Sequence, residues 1–255
     1  MKVKTILVSQ PKPQTEKSPY FDLAKKCKVK IDFRPFIHVE GVSAKEFRKQ
    51  KITIKDFDSV IFTSKSAVDH FFRLAEELRC DVPESMKYFC VSESIAYYLQ
   101  KYVVYRKRKI FHGQTRFTEI LETIKKHKDG KFLLPCSDVA KPDVPKMLAD
   151  NGIDFKEAVM YRTVCSDLSD LKDVYYDILV FFSPSGIKSL LQNFPDFKQN
   201  NTRIAVFGSS TAKAAEENGL RIDIAAPSPQ APSMTMALEQ YITKVNKQSR
   251  SKKAS

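Results

Sequence analysis

The chain has 255 residues, 42% of them hydrophobic, with five cysteines and a net charge of +13. That length suits two domains of ordinary size, each able to bury a core. Its longest apolar runs, such as residues 178–182, are too short to cross a bilayer, and the first residues lack the long apolar stretch of a secretory signal.

Cys27, Cys80, Cys90, Cys136 and Cys165 are scattered, with no Cys-X-X-Cys pair, which suits reduced thiols in a cytoplasmic protein. The histidines are widely separated, so no metal-ligand spacing stands out and no metal is expected. Five of the cations fall in residues 244–255, which hold no acid, and residues 246–255 read as a basic, disordered tail. The Arg106-Lys-Arg-Lys109 run reads as a solvated edge, so no nucleic-acid partner is expected. The remaining body is moderately basic, as suits an anionic small molecule.

In chain order, β-rich apolar runs occur at 5–8, 59–62, 88–91, 132–134, 178–182 and 204–207, each ending in small polar residues. Each precedes a stretch of helical periodicity. Ala67, Val68, Phe71, Phe72, Leu74, Ala75 and Leu78 form one apolar stripe; Ala212 and Ala215 begin another that stops at Gly219, a helix C-cap. Alternating short strands and helices predict an α/β fold of parallel sheets flanked by helices.

The pattern is also said twice. Asp58-Ser-Val-Ile-Phe-Thr-Ser-Lys-Ser is echoed by Asp177-Ile-Leu-Val-Phe-Phe-Ser-Pro-Ser, Tyr88-Phe-Cys-Val-Ser by Ile204-Ala-Val-Phe-Gly-Ser, and the strand from Lys4 by the one from Lys131. Two similar domains follow, with a cleft between them as the expected place of function. Repetition alone allows the units to lie in series or the first strand to join the second half.

In an open parallel sheet, ligands gather at the carboxyl ends of the strands. Those ends carry Ser64 with Lys65, Ser92, Ser137, Ser183 with Ser185, and Ser210 with Thr211. Serine and threonine there commonly cap helices. Helix N-termini also hold anions, and several together would hold a polyanion. Gly186 and Gly208 would allow close backbone approach. No P-loop, Gly-X-Gly-X-X-Gly fingerprint or Gly-X-Ser-X-Gly elbow occurs, which points to cofactor-free chemistry or to simple binding.

Six segments stand out in order: Val60-Ile-Phe-Thr-Ser-Lys-Ser-Ala-Val68, Leu133-Leu-Pro-Cys-Ser-Asp138, Val159-Met-Tyr-Arg-Thr163, Val180-Phe-Phe-Ser-Pro-Ser-Gly186, Ala205-Val-Phe-Gly-Ser-Ser-Thr-Ala212 and the Pro-rich residues 227–233. As an ordered set they resemble the uroporphyrinogen-III synthase family. Two segments depart from the family pattern: Ser9-Gln-Pro11 stands for Thr-Arg-Pro, and Ser92-Glu-Ser-Ile95 for Gly-X-X-Thr.

The resemblance implies an exchanged arrangement: residues 1–36 with 166–245 as one domain, 40–162 as the other, joined by a two-strand hinge. It also implies a monomeric enzyme of tetrapyrrole and haem biosynthesis, a cyclising hydro-lyase without cofactor. The implied substrate is hydroxymethylbilane, a linear tetrapyrrole with eight carboxylates, closed to uroporphyrinogen III with its last ring inverted. Tyr161 is the implied hydrogen-bond or proton donor to the departing hydroxyl, and the hydroxyls above are the implied carboxylate contacts. The alternative is a non-catalytic paralogue that binds tetrapyrroles or other anions at the same place.

Overall fold

The computed structural model describes residues 2–15, 17–139 and 142–251, the side chains of 249–251 excepted. It divides into two units, each built on its own sheet: residues through His38 with those from Val164 onward, and Val39–Thr163.

The chain opens with β1 (Thr5–Val8), α1 (Pro19–Cys27), β2 (Lys30–Phe33) and β3 (Ile37–Gly41). A short helix α2 (Ala44–Phe47) leads to β4 (Ser59–Phe62), α3 (Lys65–Glu77), β5 (Lys87–Cys90), α4 (Glu93–Leu99), β6 (Ile110–His112) and α5 (Phe117–Lys125). Next come β7 (Phe132–Ser137), α6 (Asp143–Asp150) and the long β8 (Phe155–Cys165). The last third holds β9 (Ile178–Phe181), α7 (Pro184–Asn193), β10 (Arg203–Phe207), α8 (Ser209–Glu217), β11 (Ile222–Ala226) and α9 (Met234–Ser251).

The first unit's sheet has the order β11-β10-β9-β1-β2, parallel throughout. The second has the order β3-β8-β7-β4-β5-β6, with β8, β7, β4, β5 and β6 parallel. The strands β4 and β9 are buried along their whole length, as continuous apolar runs covered by helices on both faces require.

The acidic residue that opens each repeat has a definite task. Asp177 Oδ2 accepts from the backbone N–H groups of Lys4 and Thr5 at 2.7 and 2.9 Å, fastening β1 beside β9. Asp58 Oδ2 accepts from Lys131 N–H at 2.9 Å, just ahead of β7, which lies beside β4. So each repeat's carboxylate holds the strand that opens the other repeat.

In the second unit the core centres on aromatic rings. Phe62 meets Phe71 edge-on at 5.5 Å and stacks on Tyr88 at 6.0 Å, and the apolar stripe of α3 closes over them. Burying one such ring contributes ~2–3 kcal/mol.

The C-terminal region departs from the expected tail. Helix α9 continues to Ser251, so residues 246–251 are helical, while 252–255 lie outside the described residues. The cause is local. Ile242 is buried and Val245 packs on the first unit's core, and Asn246 Oδ1 accepts from Val3 N–H at 2.9 Å. Helical spacing of those apolar positions outweighs the absence of acids. Among the described residues no helix is long and apolar enough to cross a membrane.

Candidate active site

Both sheets reverse their order of growth at one point. From β4 the chain builds toward β5 and β6; from β7 it builds the opposite way, to β8. Helices that leave two adjacent strands toward opposite faces open a crevice at the carboxyl ends of those strands. In the second unit this crevice is a cavity of about 240 Å³, lined by Thr63 and Ser64 after β4, Cys136 and Ser137 on β7, Val144 and Pro145 of α6, and Tyr161.

Ser64 is the N-cap of α3: its Oγ accepts from Ala67 N–H at 3.0 Å. The same Oγ lies 3.2 Å from the Tyr161 hydroxyl. Since Ser64 already accepts from the helix, it can donate its own proton to the phenol oxygen, which leaves the phenol O–H aimed at another acceptor. Ser137 is the register partner of Tyr161, past a bulge at Cys136/Ser137. It donates to Asp138 Oδ1 at 3.0 Å, and that carboxylate also accepts from Thr163 N–H at 3.2 Å. Together Asp138 and Ser137 hold the end of β7 against β8.

Tyr161 is 9% exposed, and burial raises its pKa above the ordinary tyrosine value, with the Ser64 hydrogen bond pulling the other way. It therefore stays a neutral donor. Its ring stacks on His70 at 5.1 Å. His70 Nδ1 accepts from Arg73 Nε at 3.2 Å, and burial, then the Arg73 charge, lowers the His70 pKa. A neutral imidazole with its proton on Nε2 follows. Arg73 in turn donates to the carbonyls of Val42 and Met160 at 2.8 and 3.3 Å. At Gly41 a Cβ would stand 2.7 Å from this guanidinium, so any side chain there would have to displace the tip of Arg73. The orientation of Tyr161 is thus set by α3 as well as by its own strand.

Burial pushes the Cys136 thiol up to about 11, so it is no nucleophile at neutral pH. Glu157 brings a carboxylate to the cavity wall, so the cavity alone does not form a cradle for anions. Among the described residues no group of three His, Cys, Asp or Glu side chains is placed to hold a metal.

The other residues singled out from the sequence divide. Lys65 is exposed, its ammonium 5.3 Å from the centre of the Tyr98 ring. Ser92 leaves α4 without a side-chain cap and pairs with Ser94 at 3.1 Å. Ile95, where the family pattern has threonine, is buried in the core.

In the first unit Ser183 caps α7 through Gly186 N–H at 3.2 Å, and Ser185 follows it, partly exposed. Gly186 is buried against Phe181, so its missing Cβ faces protein instead of open space. Gly208 does stand open: its φ is 87°, no atom of the described residues lies within 4 Å of a would-be Cβ, and it is the N-cap of α8 without a side chain. Ser210 is exposed in that first turn.

Thr211 is 1% exposed, and its Oγ1 is buried with no hydrogen-bond partner among the described residues. A buried hydroxyl left unpaired is costly, and removing it is not. Thr211→Val keeps the shape, so the expected result is a stability gain of ~1 kcal/mol in denaturant unfolding. A loss of that size would show that the hydroxyl finds a partner in solution. Ser64→Ala should do the reverse, costing ~1 kcal/mol through the lost cap. Ser64→Thr should restore most of it; equal instability of both would make the cap irrelevant.

His70, Arg73 and Thr63 are not apparent from spacing alone. The signal for His70 is a histidine beside an apolar stripe, which looks the same whether it stacks on a functional ring or fills a core.

The comparisons with known proteins agree on one family. The sequence pattern of the family described as uroporphyrinogen-III synthase HemD matches residues 22–236, most of the chain. The chain belongs to the uroporphyrinogen-III synthase family. Within it, the chain is 29% identical to the uroporphyrinogen-III synthase of Saccharomyces cerevisiae over 134 residues, 46% of this chain and 48% of the yeast protein. The match thus spans about half the length of that relative.

Among solved structures of the family, the chain is similar to the uroporphyrinogen-III synthetase of Helicobacter pylori, with a TM-score of 0.58 and 22% identity over 95% of this chain and 100% of that one. A mutant uroporphyrinogen III synthase from the extremely thermophilic bacterium Thermus thermophilus gives a TM-score of 0.52 and 16% identity over 95% and 100%. These likenesses establish the fold: α/β, with parallel sheets flanked by helices.

Proposed function

We propose that this protein is a uroporphyrinogen-III synthase, a hydro-lyase that closes hydroxymethylbilane to uroporphyrinogen III with inversion of the last ring and loss of water. The observation that carries the reading is the Ser64–Tyr161 hydroxyl pair on the wall of the switch-point cavity. Departure of the terminal hydroxyl is driven by the electron-rich pyrrole, so a neutral phenol is sufficient help. Ser64 donates to the Tyr161 oxygen, and Tyr161 donates to the leaving hydroxyl.

The resulting cation must be attacked at the substituted carbon of the last ring, through a spiro intermediate that fragments and recloses. The free chain closes instead at the nearer carbon. Orientation is therefore the main catalytic task. The substrate's eight carboxylates would be met by helix N-termini and hydroxyls: Ser64, Lys65 and Ser137 in the second unit, and Ser183, Ser185 and Ser210 in the first. The open first turn of α8 after Gly208 offers backbone N–H groups to such an anion. For Thr211 only the backbone N–H remains in this role, because its hydroxyl is buried.

The reading takes the protein as a cytoplasmic monomer that needs neither added cofactor nor nucleic acid. The test is consumption of freshly made hydroxymethylbilane by the purified chain in the presence of a chelator. Consumption at the spontaneous rate, or activity restored only by added metal, would sink the proposal.

A further inference from the structure

A second cavity, of about 370 Å³, lies at the amino-terminal ends of β5 and β6, the opposite end of the second unit's sheet from Ser64 and Ser137. That volume falls within the range of small-molecule pockets. Its walls are mainly apolar: Phe72, Val82, Met86 and Ile110, with the Tyr102 ring stacked on Phe72 at 4.5 Å and 3°.

Tyr88 reaches this cavity from β5. It is 5% exposed, and its hydroxyl has no hydrogen-bond partner among the described residues. A buried tyrosine hydroxyl ordinarily finds one. Of the other tyrosines, Tyr161 has Ser64, and the more exposed Tyr98, Tyr102 and Tyr176 donate to Asp69 and Asp32. Unlike the Thr211 hydroxyl, that of Tyr88 is not sealed off by protein. Burial pushes its pKa up to about 12, so it remains a donor at any working pH.

The mouth is cationic. Arg106 stands 3.8 Å from Glu84 in a loose, exposed pair. Lys109 uses one N–H on the Glu84 carbonyl and keeps the others. Tyr88 and Lys109 are neighbours across the strands, since Tyr88 N–H donates to the Lys109 carbonyl at 2.7 Å.

We propose that this cavity is a binding site for a small aromatic carboxylate. The ring lies against Phe72 and Val82, and the carboxylate accepts from the Tyr88 phenol and the Lys109 ammonium, with Arg106 at the mouth. An apolar body alone would leave the phenol unpaired, and an inorganic anion would leave the apolar walls wet. A ligand with both parts meets both needs.

The test is calorimetric titration with 2-naphthoate and with its neutral analogue 2-naphthylmethanol. The full chain should bind naphthoate saturably and the alcohol about tenfold more weakly. Tyr88→Phe removes only the oxygen and should weaken naphthoate binding ~3- to 10-fold with unchanged thermal unfolding. Lys109→Ala should weaken it roughly tenfold and abolish the preference for the acid. Equal affinity for acid and alcohol would overturn the proposal, as would no saturable binding at millimolar naphthoate. Parent-like binding by Tyr88→Phe would do the same, by placing the ligand elsewhere.

Discussion

Replacing Tyr161 by phenylalanine is expected to lower kcat roughly tenfold while leaving the fold and KM nearly unchanged. The substitution removes one oxygen. The ring keeps its stack on His70 and its burial between β7 and α3, and the hydrogen bond it gives up, to Ser64 at 3.2 Å, is long. Stability should therefore change by less than ~1 kcal/mol.

General-acid assistance often contributes ~100-fold or more, but here the pyrrole itself expels the hydroxyl, so the loss is smaller. Because burial raises the Tyr161 pKa, its proton stays in place as pH rises through the ordinary tyrosine range. Turnover should then show no fall assignable to this group below pH ~10. Steady-state kinetics across pH on parent and variant check both statements. A variant that turns over at the parent rate with the same product would make Tyr161 a packing residue.

Asp177→Ala is the substitution expected to cost the most stability, about 3 kcal/mol in the first unit. Its Oδ2 accepts from Lys4 N–H, Thr5 N–H and the Thr5 hydroxyl, and the residue is 8% exposed. Removing the carboxylate leaves the part-buried backbone donors of Lys4 and Thr5 at the start of β1 without their acceptor, each worth ~1–2 kcal/mol. Asp177→Asn keeps an acceptor and should recover at least half of the loss. Asp58→Ala removes a single bond at an exposed position and should cost less than ~1 kcal/mol. Denaturant unfolding, with amide exchange at Ile6 and Leu7 as the local readout, measures all three. A loss below ~1 kcal/mol for Asp177→Ala would mean that the edges of β1 and β9, not this carboxylate, hold the strand.

The parts of the fold that can be read from the sequence are those whose burial is uniform. The runs at β1, β4, β5, β7, β9 and β10 are continuous apolar strands, and α3 shows its stripe, so pattern and structure coincide there. Strands β2 and β6 give no signal: β2 has no fully buried residue and β6 has three residues in all. The end of α9 is missed when composition is weighed over the spacing of Ile242 and Val245.

At the site, Ser64, Ser137 and Tyr161 line one cavity, because the connections that leave the adjacent strands β4 and β7 run in opposite directions. Pattern cannot separate a hydroxyl that faces a cavity from one that is sealed off, which is the difference between Tyr161 and Thr211. Nor can it find Arg73, whose contacts lie on the distant carbonyls of Val42 and Met160.

The most direct measurement is the isomer of the product. Hydroxymethylbilane left alone closes to the uninverted ring, isomer I, so inversion is the one outcome that requires a catalyst. Incubated with this protein and oxidised for chromatography, the substrate should give isomer III in large excess, with the share of isomer I growing in Tyr161→Phe as the spontaneous reaction competes. Isomer I as the main product of the parent protein would contradict the account.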